Sequence, residues 1–187
     1  MSHKGEAYSA SGAIFLDNPI RRLIQPPLEL VEKLDITPAY VVLDFGCGPG
    51  YFTIDLTKKA KKVVAVDISS EMLKKAQRKA EKAGVKNIQF LQSNGTNIQL
   101  EDASADLILL VTVYHEVGES QAVLKEFNRI LKPEGTLVIV EIIKKGIFPS
   151  APVQNPQTLT AEIEAGNFKL KQMVPYKMCG IFFFSKN

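Results

Sequence analysis

Short unbroken apolar runs along this chain alternate with longer stretches whose apolar residues recur at every third or fourth position. The first pattern suits strands buried on both faces of a parallel sheet, and the second suits the helices that cover such a sheet. Val41, Val42 and Leu43 lead into Asp44, and Val63 to Val66 lead into Asp67. Residues 87–92, 106–111 and 136–142 read as third, fourth and fifth strands. A helix opens with Tyr51, Phe52, Leu56 and Ala60 on one side. Another covers residues 70–83, starts at Ser69-Ser70-Glu71 and stops at Gly84. Ser120 is placed to N-cap a helix whose buried stripe is Val123, Leu124, Phe127, Ile130 and Leu131, ended by a Lys132-Pro133-Glu134-Gly135 turn.

The rhythm changes in the tail. Residues 146–156 read as a loop, 159–165 as a short helix ended by Gly166, and 168–174 and 178–185 as two strands. Their tight Pro175-Tyr176-Lys177 connection makes the pair antiparallel. Ile181-Phe182-Phe183-Phe184 on an open edge would invite aggregation, so the last strand is expected inside the sheet. Near the start, residues 27–34 read as a helix. Residues 1–38 are expected to form a cap or arm on a single domain spanning 39–187.

The chemistry concentrates where strand one ends. Asp44, Gly46, Gly48 and Gly50 form D-x-G-x-G-x-G, with Cys47 inside the loop. Glycines there let the backbone turn sharply and approach a ligand closely. In the NAD fingerprint the third glycine stands where Tyr51 stands here, so a dinucleotide site is disfavoured. Asp67 follows at about the 20-residue spacing at which a carboxylate accepts ribose hydroxyls.

These residues resemble motif I and the second-strand acid of class I S-adenosylmethionine-dependent methyltransferases. The resemblance runs from about Ala39 to the C-terminus. It implies a doubly wound, mostly parallel, seven-stranded α/β sheet of Rossmann-like type with a C-terminal antiparallel hairpin. It also implies S-adenosylmethionine as cofactor, S-adenosylhomocysteine as product, and no metal. Carried over by position, Asp44, Gly46, Cys47, Gly48 and Gly50 surround the methionine part, with Asp44 near its ammonium group. Asp67 takes the ribose hydroxyls, and Ile68, helped by Met72, packs on the adenine. Asn94 stands where many relatives carry an aspartate for the adenine amino group, and its side-chain oxygen accepts as well. Gly95 and Val111 complete the cofactor set.

Residues 111–117, Val-Thr-Val-Tyr-His-Glu-Val, lack the Asn/Asp-Pro-Pro-Tyr/Phe of enzymes that methylate exocyclic base amines or amides. Tyr114-His115-Glu116 resembles the type 11-like branch that acts on small molecules. His115 is the candidate catalytic residue, as a general base or as the residue that orders the loop and shapes the acceptor pocket. Glu116 reads as a first-turn carboxylate. Tyr8, in the arm, is a candidate to face the cofactor or part of an unstructured leader.

Composition trims the alternatives. The chain has 187 residues, 45% of them hydrophobic, and a net charge of +3. Lys74, Lys75, Arg78, Lys79 and Lys82 share a helix with an apolar opposite face and no interleaved aromatics, which favours a solvated surface over nucleic-acid binding. Two cysteines and two histidines show no metal-ligand spacing. The thiols suit a cytoplasmic protein, and no apolar run reaches membrane-span length. The expectation is methyl transfer to a small, fairly apolar acceptor by a monomer or homodimer. The alternatives are a cofactor-binding accessory protein without turnover, a macromolecule methyltransferase, and a relative that transfers another group such as aminopropyl.

Overall fold

A computed structural model describes residues 26–145 and 152–187. Most of the expected arm, Tyr8 included, and part of the 146–156 loop lie outside the described residues. Thirteen elements follow in order: α1 (Pro27–Glu32), β1 (Val41–Phe45), α2 (Thr53–Thr57), β2 (Lys62–Asp67), α3 (Ser70–Lys82), β3 (Ile88–Gln92), β4 (Ala105–Val111), a 3₁₀ turn (Tyr114–Glu116), α4 (Ser120–Ile130), β5 (Leu131–Ile142), α5 (Pro156–Glu164), β6 (Phe168–Tyr176) and β7 (Cys179–Lys186). The strands make one seven-stranded sheet in the order β3-β2-β1-β4-β5-β7-β6. The expected class is therefore the observed one. By packing, the chain divides between Asn94 and Gly95 into two compact units.

In the earlier unit, β2 pairs in parallel with β1, Val42 opposite Val63, and with β3, Val63 opposite Ile88. Val42, Leu43 and Val63 to Val66 are fully buried, as unbroken apolar runs require. Ser69 Oγ accepts from Met72 N at 3.3 Å and caps α3, whose exit passes through Gly84 at φ +68°. The helix after the glycine loop is shorter than its apolar pattern suggested. Tyr51 and Phe52, each 4% exposed, sit in the turn before α2, their rings packed edge to face at 4.8 Å. Asn87 donates from its side chain to Thr57 O and Ala60 O, fastening the entry of β3 to the α2–β2 connection.

In the later unit, β4 and β5 are parallel, while β7 pairs antiparallel with both β5 and β6. The phenylalanine-rich strand is interior, as its aggregation hazard demanded. Several boundaries moved. Residues 132–135 do not end α4 as a turn, because Leu131 already pairs with Ala105 and the next partners are Leu107 and Thr136. The four residues form a bulge within β5, held by Lys132 Nζ to Asp106 Oδ1 at 2.6 Å. Gly135 is required there, since a Cβ would stand 2.7 Å from Leu131.

Ser120 does not cap α4. The N-cap is Glu119, and Ser120 Oγ instead donates to Glu162 Oε1 on α5 at 2.7 Å. α5 begins at Pro156, earlier than expected, because proline fits the first helical position and Asn155 accepts from Thr158 N at 3.0 Å. The hairpin turn is also tighter than expected, with Tyr176 still paired to Cys179 and Lys177 at φ +53°.

Candidate functional site

The C-terminal end of β1 and the loop after it form the first cluster. Gly46 N and Cys47 N both donate to Val66 O, at 2.8 and 3.0 Å, so the loop turns directly over the end of β2. Gly48 N donates to Asp67 Oδ2 and Ser69 N to Asp67 Oδ1, each at 2.8 Å. Asp67, 9% exposed, thus joins the glycine loop to the β2–α3 turn. Each of its oxygens is held by a fixed backbone donor. Gly50 at φ +78° brings the loop against α3, where a Cβ would stand 3.1 Å from that of Ala76. Gly48 at φ +53° has open space where its Cβ would be.

Asp44 is 3% exposed and accepts from Thr53 Oγ1 at 2.6 Å. Thr53 was not among the sequence candidates, although its place in the first turn after the glycines was the available signal. Cys47 packs with Ala65 and Leu73. Burial, then the charges of Asp44 and Asp67, push its thiol well above its ordinary range, so it is not a reactive thiolate. Ile68 is 41% exposed beside Asp67, an apolar surface next to a carboxylate, whereas Met72 is 2% exposed within the core. Asn94 is exposed.

This donor set fits a cationic nucleoside. Carboxylates suit hydroxyls and an ammonium group, a Cβ-free loop permits close approach, and Ile68 offers a hydrophobic face. Among the described residues, no cluster of His, Cys, Asp or Glu is arranged to hold a metal ion.

The second cluster follows β4 in the later unit, where Gly95 and Val111, both buried, also lie. Thr112 holds φ +54°, a strained conformation for a β-branched residue, with its N–H on Val140 O at 2.7 Å. The strain throws the chain into the Tyr114–Glu116 turn. His115 Nδ1 stands 3.1 and 3.0 Å from Glu141 Oε1 and Oε2, and its backbone N–H donates to Oε1 at 3.3 Å. Nε2 stands 3.5 Å from Glu116 Oε1.

Burial alone would lower the His115 pKa, but its hydrogen bonds to Glu116 and Glu141 prevail and raise it to about 9. Glu141 is fully buried. It escaped the sequence reading because β5 looked like an ordinary apolar strand, although a carboxylate within such a run was a signal. Tyr114 is 4% exposed and, among the described residues, its hydroxyl approaches Ser120 and Glu162 without a well-formed hydrogen bond. Burial and the nearby Glu162 charge push its phenol well up.

A methyltransferase-domain family model matches residues 36–179, most of the chain. The chain belongs to this family, that of class I S-adenosylmethionine-dependent methyltransferases. It is 36% identical over 103 residues to a demethylmenaquinone methyltransferase of Lactococcus lactis, covering 54% of this chain and 41% of that one. A demethylmenaquinone methyltransferase of Staphylococcus saprophyticus is 31% identical over 127 residues, covering 66% and 52%. The chain thus spans about half the length of these curated relatives. The crystal structure of an S-adenosylmethionine-dependent methyltransferase from Aquifex aeolicus superposes with a TM-score of 0.85 at 27% identity, covering 96% of this chain and 98% of that one. No described helix is long and apolar enough to cross a membrane.

Proposed function

We propose that this chain transfers the methyl group of S-adenosylmethionine to a small, fairly apolar acceptor. The observation that carries the cofactor half is the Asp67 carboxylate, held on Gly48 and Ser69 beside an exposed Ile68. In this reading Asp67 takes the ribose hydroxyls and Ile68 packs on the adenine. Asp44 faces the ammonium group, and the backbone at Gly46, Cys47, Gly48 and Gly50 surrounds the methionine part. Asn94 takes the adenine amino group, Met72 helps Ile68, and Gly95 and Val111 complete the cofactor set.

The cofactor supplies the electrophilic methyl group when bound, so the protein's work is to align the acceptor and exclude water. We assign His115 and its turn to the acceptor side and residues 1–38 to a cap or arm. Relatives named for methylating demethylmenaquinone support a small acceptor, as does a β4 exit without the base-amine motif. We place the protein in the cytoplasm, as a monomer or homodimer.

A labelling partition tests this reading. Purified protein and methyl-labelled S-adenosylmethionine are added to a host lysate, and label is counted in acid-precipitable and solvent-extractable fractions. Protein-dependent label in an extractable product is expected. Label in protein or nucleic acid would overturn the acceptor class, and cofactor binding without any transfer would indicate an accessory protein.

A further inference from the structure

The surroundings of His115 define the acceptor chemically, given the methyl-transfer reading above. Both ring nitrogens face carboxylate oxygens, Nδ1 toward Glu141 and Nε2 toward Glu116. Nδ1, within hydrogen-bond reach of carboxylate oxygens, is placed to donate to them, and the Glu116 carboxylate 3.5 Å from Nε2 favours a positive ring. Among the described residues, these two glutamates are the charged groups acting on it, one from β5 and one from its own turn.

Their grips are unequal. Glu141 is buried and holds both the ring and the backbone N–H. The Glu116 side chain is 36% exposed, and its 3.5 Å separation exceeds a normal hydrogen bond of about 2.7–3.2 Å. Thr112, in its strained conformation, presents the same turn.

We propose that Glu141 is a positioning residue fixing His115 as an imidazolium whose Nε2–H binds the oxyanion of an enol- or phenol-type acceptor, in the place now taken by the Glu116 carboxylate. A ring that keeps its proton up to about pH 9 is a donor at neutral pH and removes no proton from the acceptor. The acceptor therefore arrives as its conjugate base, its proton already lost to solvent. Its oxygen, or a carbon conjugated with that oxygen, forms the bond to the methyl carbon while the C–S electron pair stays on sulfur. The charges of oxyanion and sulfonium cancel. After attack at carbon, the hydrogen on that carbon leaves to solvent as a proton.

The test is calorimetry on protein saturated with S-adenosylhomocysteine, using two probes. 2-Hydroxy-1,4-naphthoquinone is an enol ionised at neutral pH, and 1,4-naphthoquinone has no ionisable proton. The enol is expected to bind at least tenfold tighter, with that advantage fading as pH rises past 9. Glu116→Gln should tighten enol binding severalfold, while His115→Gln and Glu141→Gln abolish the advantage and leave the neutral probe unaffected. Equal binding of the two probes, or weaker enol binding by Glu116→Gln, overturns the proposal. NMR titration of the His115 ring, assigned by its loss in His115→Gln, gives a readout that needs neither turnover nor the Glu141 variant. A ring titrating near 6.5 in the wild-type protein refutes the imidazolium. Failure of the methyl-transfer reading shows separately, as absent S-adenosylhomocysteine binding or absent labelled product.

Discussion

Gly48 and Asp67 are joined by a single hydrogen bond, backbone N–H to Oδ2, at 2.8 Å. The carboxylate that we propose takes the ribose therefore also closes the glycine loop, and on that reading recognition and loop shape share one side chain.

Asp67→Asn and Asp67→Ala separate the two roles. Asparagine keeps one acceptor oxygen for the loop but loses the charge, and should weaken S-adenosylhomocysteine binding about 10- to 100-fold with a small change in melting temperature. Alanine frees both backbone N–H groups and should also lower the melting temperature by several degrees. Calorimetry and thermal melts of both variants check this, and unchanged affinity in either would remove Asp67 from the cofactor site.

Gly50 serves packing as well as backbone conformation. Gly50→Ala meets Ala76 at 3.1 Å and must hold φ +78°, which together should cost about 1–3 kcal/mol. Ala76→Gly in the same chain should return the steric share less about 1 kcal/mol for a glycine inside α3. Full rescue in denaturant melts would show that the left-handed conformation costs nothing.

How far the sequence foretold this depends on the range of the interaction. β1, β2 and α3 were legible because their signals are local: unbroken apolar runs, a serine cap and a closing glycine. The interior place of β7 was legible because Phe182, Phe183 and Phe184 had nowhere else to go. The β5 bulge was not, since the register of Leu131 is set by Ala105, distant in sequence. The same holds for Ser120, which left the cap for Glu162 on another helix. His115 stood out from its position, but its partner Glu141 lies one strand further on and nothing local links them.

Thr112 stores strain. Thr112→Gly should raise stability by up to about 1 kcal/mol, because glycine holds φ +54° without a Cβ clash. Looser placement of His115 should slow methyl transfer at the same time. A variant both less stable and fully active would refute the strain argument.

Glu126 gives stability a defined pH dependence. Arg129, gripping it through Nε and a terminal nitrogen at 2.9 and 2.7 Å, holds its carboxyl below the usual range, against burial and with help from Ile98 N. A depressed folded-state pKa contributes stability that is present above the ordinary carboxylate range and lost as pH falls through the folded value. Glu126→Gln should therefore flatten the acid limb of the stability curve, measured as urea midpoints between pH 3 and 7 (about the range in which carboxylates titrate). His115 acts in the opposite sense. Its raised pKa contributes stability present below about 6.5 and lost as pH climbs through about 9.

The Tyr114 hydroxyl should be dispensable for folding. Tyr114→Phe removes a buried polar atom without leaving another unpaired, so the melting temperature should hold or rise. A marked fall would show that its approach to Ser120 and Glu162 stabilises the fold.

β7 is the last strand in the chain yet lies between β5 and β6, and is hydrogen-bonded to both. During synthesis, Leu131–Ile142 leaves the ribosome with one edge open and Phe168–Tyr176 emerges with no partner at all. Neither can be completed until Cys179–Lys186 has cleared the exit tunnel, so this half of the molecule closes only once β7 has emerged. Until then the nascent chain displays apolar strand edges of the kind that chaperones shield. A stop codon that removes only the final strand would therefore be expected to yield inclusion bodies, not a smaller working protein.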